Sequence, residues 1–244
     1  MKSWKFPAGE LGVCVEREDY GRYVLDFSVG SDSLIEMLLY ADAYRRDRGS
    51  KAPMELFAPY FPYARQDRVM QPGESHSLKV IANLINSCKF DSVITVDPHS
   101  DVVAALVDNL AVMEQHYAVL SVLNQKNISA NYDFLIAPDA GALKKIYKLA
   151  EKVGLPVIAA QKVRDTSNGN ITSTKVYDSD AALLKGARAL VVDDICDGGR
   201  TFIELASVLP EMSRLDLYVT HGIFSKGREA LEQAYDNIYC YHTI

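Results

Sequence analysis

Positive charge is in short supply. The chain has 26 Lys and Arg against 32 Asp and Glu, a formal net charge of −6. A surface of that sign does not gather nucleic acid by bulk electrostatics, so any phosphate must be held by local geometry. Cysteine is sparse as well. Cys14, Cys88, Cys196 and Cys240 are too widely spaced for a C-x-x-C clip and too few in 244 residues for a disulfide scaffold, so they read as packing thiols. No apolar run approaches the roughly 18 residues of a membrane span. The start, Met1-Lys2-Ser3-Trp4-Lys5, has no signal-peptide apolar stretch, which makes the cytoplasm the expected location. Low-complexity segments and short repeats are missing too. What remains is a globular composition, 48% hydrophobic and 24% charged, in a length suited to one or two domains.

Short β-rich runs alternate with helical patterns along the whole chain, which predicts an α/β fold with mostly parallel sheets. In the first half a helix is expected over Leu34 to Arg46, with Ser33 and Glu36 in capping-box spacing. Strands are expected at Met54–Ala58 and Ser92–Val96, with a helix through Leu78, Ile81, Ala82 and Ile85 between them. Asp108 to Gln115 reads as an interdomain stretch, dividing the chain into residues 1–115 and 116–244. The pattern then restarts with strands at Phe134–Ala137, Pro156–Ala160, Ala189–Val192, Leu215–Phe224 and Ile238–Tyr241. Helices are expected over Ala142–Lys152, from Thr201, and over Lys226–Ala234, and the polar run Asp165–Asn170 reads as a lid-like loop.

The strongest chemical signal is Val191-Val192-Asp193-Asp194-Ile195-Cys196-Asp197-Gly198-Gly199-Arg200-Thr201. A buried strand delivers two carboxylates to a sheet edge, two glycines permit a tight turn, and a helix begins where free N–H groups can meet an anion. Carboxylates beside a phosphate cradle suit a sugar phosphate, because they accept hydrogen bonds from vicinal hydroxyls. The plainer alternative is an ordinary connection in which Thr201 caps a helix with Glu204.

This loop resembles the phosphoribosyl-diphosphate (PRPP) loop of type I phosphoribosyltransferases and PRPP synthetases. Further segments resemble the ribose-phosphate pyrophosphokinase family. Pro59-Tyr60-Phe61-Pro62-Tyr63-Ala64-Arg65-Gln66-Asp67-Arg68 is similar to its ATP-binding stretch, and Val93 to His99 to its metal-ATP strand. Phe6-Pro7-Ala8-Gly9-Glu10 resembles its Phe-x-Asp-Gly-Glu adenine loop, Pro138-Asp139 its second metal position, and Lys162-Val163-Arg164 the start of its catalytic loop.

The resemblance implies two tandem phosphoribosyltransferase-like (type I) domains and the reaction of Mg²⁺-ATP with ribose 5-phosphate to give PRPP and AMP. It implies Lys162 and Arg164 as catalytic cations, with Arg164 also on the sugar phosphate. Phe6, Glu10, Arg65, Gln66, Asp67 and His99 are implied at ATP, and His99 and Asp139 at Mg²⁺. Asp193, Asp194, Asp197, Gly198, Gly199, Arg200 and Thr201 are implied at ribose 5-phosphate. A homo-oligomer, dimer or hexamer, is expected, with no nucleic-acid or membrane partner. Alternatives are a non-catalytic regulatory subunit and a PRPP-consuming phosphoribosyltransferase; the latter gives Arg65-Gln66 and Phe6–Glu10 no purpose. Without the resemblance, Arg65 reads as a surface cation paired with Asp67, and Lys162 and Arg164 as solvated loop charges. Relative to the family pattern the sequence reads as a shortened member, without the strand and helix before Phe6 and without the terminal extension. Ala8 stands where the family has an acid.

Overall fold

The computed structural model describes residues 1–164 and 171–244, with the side chains of residues 162–164 and 171–173 outside the description. The expected loop Asp165–Asn170 therefore lies outside the described residues. The chain forms two compact units, Met1–Met113 and Glu114–Thr243.

The first unit opens with β1 (Lys2–Lys5) and β2 (Leu11–Cys14), an antiparallel hairpin whose turn is the Phe6–Glu10 segment. Then follow β3 (Arg22–Val24), α1 (Asp32–Arg48), β4 (Glu55–Ala58), α2 (Ser77–Ser87), β5 (Ser92–Val96), α3 (Val102–Leu106) and β6 (Leu110–Met113). Strands β3, β4, β5 and β6 pair in that order, all parallel. The stretch expected to join domains thus contains an edge strand: Leu110–Met113 pairs with Val93–Val96. Ser33 and Glu36 form no capping box. The Ser33 hydroxyl donates back to the Gly30 carbonyl just before α1, and Glu36 accepts from the Tyr23 hydroxyl. The core packs Leu56 and Val93 of the sheet against Met37 of α1 and Leu78 and Ile85 of α2.

The second unit contains α4 (Gln115–Val122), α5 (Gln125–Asn131), β7 (Phe134–Ala137), α6 (Leu143–Val153), β8 (Val157–Ala159), β9 (Gln161–Arg164) and β10 (Ile171–Lys175). It ends with α7 (Asp178–Leu184), β11 (Arg188–Cys196), α8 (Arg200–Val208), β12 (Arg214–Gly222), α9 (Glu229–Glu232) and β13 (Asn237–Thr243). Five parallel strands run in the order β13-β12-β11-β7-β8, while β9 and β10 form a separate antiparallel hairpin. Val157–Ala159 and Gln161–Arg164 are thus two strands in different sheets. The helix expected over Lys226–Ala234 shrinks to Glu229–Glu232, since Gly227 adopts φ +76°, which no helix accommodates.

Strand β11 is apolar on both faces, as a central parallel strand must be. Leu190 and Val192 pack with Ile146 and Leu149 of α6, and the alternate residues Ala189 and Val191 pack with Phe202 and Leu205 of α8. The buried stripe of α6 is Ile146, Leu149, Ala150 and Val153, at the spacing of one helical face, and Gly154 ends the helix with φ 72°. Among the described residues no helix is long and apolar enough to cross a membrane.

Candidate active site

Ligands of parallel α/β sheets bind beyond the carboxyl ends of the strands, and both units bring polar side chains there. In the second unit β11 extends further than its apolar run suggests. Pairing with β12 continues to Cys196 opposite Gly222, so Asp193 and Asp194 lie within the strand rather than past its end. Strand alternation then sends them to opposite faces. Asp194 continues the face of Leu190 and Val192 and meets α6, where the Lys145 Nζ donates to its Oδ2 at 3.1 Å. Asp193 continues the other face, and its Oδ1 accepts the Asp194 N–H at 2.9 Å. Burial, and after it the charges of Asp194 and Asp139, push the Asp193 carboxyl well above its ordinary range; Lys145 opposes them.

Asp139 follows β7, the neighbour of β11. Its Oδ1 accepts from the N–H groups of Gly141 and Ala142 at 2.9 and 3.2 Å, which fixes the turn into α6. Past β11, the Asp197 Oδ1 accepts the Ser225 hydroxyl at 2.6 Å. Gly199 adopts φ 75°, ψ −5° and leads directly into α8. A Cβ there would meet Leu231 at 3.2 Å, so the turn suits glycine for both its dihedral and its space. Thr201 does not cap α8. Gly199 occupies the capping position, and Glu204 is engaged by the Arg200 guanidinium instead. Gly198 and Gly199 thus precede a helix start, the kind of backbone end that meets anions. The Cys196 thiol below them is buried and pushed up to about 12, and the Cys88 thiol to about 11, so both stay protonated packing groups. Lys162 and Arg164 are placed only by backbone, in β9 opposite Thr174 and Ile171 of β10.

In the first unit the loops after β4 and β5 meet: the Val96 N–H donates to the Pro59 carbonyl. Arg65, Gln66, Asp67 and His99 all line one cavity of about 610 Å³, with Arg68 and Glu74 at its wall. That volume lies in the range of small-molecule sites, roughly 300–1,000 Å³. Tyr63 and Asp97 flank these loops with φ 60° and 43°, costly for residues bearing a Cβ. Asp67 is not paired with Arg65. Its carboxylate accepts from the Arg68 Nε at 2.8 Å, and mainly this bond holds its pKa down to about 2. Phe6 and Glu10 do not line the cavity. They face each other across the hairpin turn, where the Phe6 N–H donates to the Glu10 carbonyl at 2.8 Å.

Lys145 is a candidate that the sequence reading passed over. It lies four and eight residues before Leu149 and Val153, so a lysine stands on the apolar stripe of α6, and that is the signal that would have found it. His99 belongs to the first unit and Asp139 to the second. Among the described residues no group of three or more His, Cys, Asp or Glu side chains could hold a metal ion. The carboxylate of Asp139 has the hard oxygen donors that Mg²⁺ takes, and Mg²⁺ ordinarily uses one or two carboxylates and completes its shell with phosphate and water. The Asp139 side chain fits that mode.

Comparison with known proteins identifies the family. The family model for the phosphoribosyl transferase domain matches residues 103–235, and that for the N-terminal domain of ribose phosphate pyrophosphokinase matches residues 4–88. The chain is 32% identical to a ribose-phosphate pyrophosphokinase of Aquifex aeolicus over 231 residues, 90% of this chain and 70% of that protein. It is 30% identical to a putative ribose-phosphate pyrophosphokinase 2 of Streptococcus pyogenes over 249 residues, 96% of this chain and 72% of that one. In fold it is similar to the crystal structure of phosphoribosylpyrophosphate synthetase from Mycobacterium smegmatis, with TM-score 0.77, 22% identity, and coverage of 96% of this chain and 76% of the other.

Proposed function

Because the chain belongs to the ribose-phosphate pyrophosphokinase family and is a diphosphokinase, we propose that its substrates are Mg²⁺-ATP and ribose 5-phosphate. The anomeric hydroxyl of the sugar attacks the β-phosphorus of ATP. The bond from that phosphorus to the α,β-bridging oxygen breaks, AMP departs with the oxygen, and the attacking hydroxyl releases its proton to solvent. Such a transfer needs little covalent help from the protein; positioning and charge neutralisation carry it.

The observation that carries the reading is the sequence of functions along one element: β11 presents Asp193, and the Gly198-Gly199 turn opens directly onto the start of α8. In this reading the N–H groups of Asp197 to Thr201 bind the 5-phosphate, aided by the Arg200 side chain. Asp193 accepts from the ribose hydroxyls, with Asp194 supporting it under the hold of Lys145. Arg65, Gln66, Asp67 and His99 receive ATP in the cavity of the first unit, and Phe6 and Glu10, which lie outside that cavity, contact the base from a neighbouring copy of the chain in the homo-oligomer. Lys162 and Arg164 meet the charge that develops on the moving diphosphate, where a preorganised cation acts most strongly. Asp139 would hold Mg²⁺, His99 in the first unit would meet the nucleotide phosphates or their ion, and the ion would supply neutralisation of charge on the diphosphate. The proposal keeps the two-domain division near residue 115, a homo-oligomer and the cytoplasm. The match of residues 4–88 to the pyrophosphokinase N-terminal domain weighs against a phosphoribosyltransferase that consumes PRPP.

The test is direct. The protein incubated with ATP, Mg²⁺ and ribose 5-phosphate should yield AMP and PRPP in equal amounts. Failure to form either overturns the proposed reaction.

A further inference from the structure

The β1–β2 hairpin holds an aromatic pair that the Phe6–Glu10 motif does not account for. Trp4 and Phe6, two residues apart, have ring centroids separated by 6.1 Å and planes crossing at 71°. Both rings remain about half in water, at 45% and 47% exposure. Each is held in place by a different device. Gly12 stands opposite Trp4 in the ladder, and a Cβ on it would lie 2.3 Å from the indole Cε2. The indole therefore rests on the bare backbone of β2, and glycine makes the room. Phe6 is held by its own main chain, whose N–H donates to the Glu10 carbonyl and whose carbonyl accepts from Gly9, both at 2.8 Å. The hairpin itself is tied down, because Lys5 bonds Asp32 of α1 at 2.8 Å and the Met1 ammonium bonds Glu16 and Asp19 at 3.0 Å.

Two rings fixed near a right angle, each with surface left open, make a corner that offers a flat ligand one ring to stack on and another to meet at its edge. We infer that Trp4 is the second wall of the nucleotide-base site and selects purine over pyrimidine by contact area, with Phe6 as the first wall. This rests on the assignment of Phe6 and Glu10 to ATP. An indole has two fused rings, so a two-ring base covers it and a one-ring base leaves part of it in water. Apolar contact scales with the area removed from water, and the corner therefore rewards the larger base.

Trp4 is the only tryptophan of the chain, so tryptophan emission of the unmodified protein, excited at the red edge where tyrosine does not absorb, reports on this corner alone. Acrylamide quenching of that emission should fall about twofold or more when ATP saturates the enzyme, and less with CTP. Trp4→Ala should raise the ATP KM about fivefold or more, in line with loss of one base–aromatic stack, with kcat and the ribose 5-phosphate KM little changed. Trp4→Tyr should restore most of the affinity. The inference is overturned if ATP leaves Trp4 as accessible as before, or if Trp4→Ala keeps the wild-type ATP KM. Phe6→Ala and Glu10→Gln separate the two levels. If either raises the ATP KM while Trp4→Ala does not, only the role of Trp4 falls. If none of the three does, the assignment of the hairpin to nucleotide falls with it.

Discussion

The ammonium of Lys145 lies 3.1 Å from the Asp194 carboxylate, and both side chains are mostly withdrawn from water, at 25% and 12% exposure. This is the cation that opposes the acid-on-acid repulsion around Asp193. Replacing it by methionine keeps the stem and removes the charge. The Asp193 carboxyl should then rise further above its ordinary range, and its ionised form should require a higher pH. The Lys145→Met variant should therefore lose kcat/KM for ribose 5-phosphate more severely at about pH 6 than at about pH 8.5. A uniform loss across the profile would limit Lys145 to packing.

Asp193 itself should trade stability for binding. Its folded-state pKa lies above the unfolded value, so its contribution to stability is fully present below about pH 3.8 and is lost as pH rises through the folded value. At neutral pH, where the unfolded chain carries this carboxyl ionised and the folded site resists its ionisation, Asp193 counts against the fold. Asp193→Asn, which retains an Oδ1 for the Asp194 N–H, should melt a few degrees higher near pH 7.5, since about 1 kcal/mol corresponds to roughly 2–4 °C at this size. The gain should fade toward pH 4. Calorimetry on the same variant should show about tenfold weaker ribose 5-phosphate binding or worse, since a hydrogen bond to a charged acceptor contributes about 1.5–3 kcal/mol.

The neighbouring glycines should respond differently. A side chain on Gly199 meets both a φ of 75° and the Leu231 side chain at 3.2 Å, whereas one on Gly198 meets the Lys226 stem at 3.4 Å, an ordinary contact. Gly199→Val should lower stability by about 1–3 kcal/mol and weaken sugar-phosphate binding, because the turn into α8 must reopen. Gly198→Ala should stay within about 0.5 kcal/mol of wild type. Thermal melts of the pair decide the point; equal effects would remove the left-handed turn as the cause.

Lys162 is assigned to the transition state, and its kinetics should show it. Lys162→Ala should lower kcat at least tenfold, about 1.4 kcal/mol, while the ribose 5-phosphate KM moves far less. Steady-state rates separate the two, and an unchanged kcat removes Lys162 from catalysis.

The order of strands and helices was largely legible in the sequence, since alternating apolar runs such as Val93–Val96 and Leu135–Ala137 have no other stable use. What was not legible depended on contacts distant in sequence. Leu110–Met113 looked like a linker because four residues carry little period of their own, and only the edge of β5 makes them a strand. Asp193-Asp194 looked like a strand end because carboxylates usually are one, yet β12 extends the ladder past them to Cys196. The pairing of Asp67 with Arg68 rather than Arg65, and of Asp194 with Lys145, depended on side-chain direction, which spacing alone does not fix.

Ala8 gives the last prediction. It sits in the turn between Phe6 and Gly9, exposed, with Gly9 at φ 95° taking the strained conformation that follows. A longer polar side chain at this position therefore meets neither a clash nor a forbidden dihedral. In the resembled family motif the position holds an acid. A methyl group cannot accept a hydrogen bond from the exocyclic amine of adenine, as a carboxylate can. The aromatic corner of Trp4 and Phe6 responds to the size of a base and not to its edge, so the wild-type hairpin should tell adenine from guanine poorly. Ala8→Asp should sharpen the preference for ATP over GTP in kcat/KM by roughly twofold to tenfold, the effect of one hydrogen bond of about 0.5–1.5 kcal/mol. The comparison is kcat/KM for both nucleotides in both proteins. If the wild type already rejects GTP as strongly as the variant does, the edge of adenine is read by residues outside the turn, with Arg65 and Gln66 of the first-unit cavity the next to be mutated.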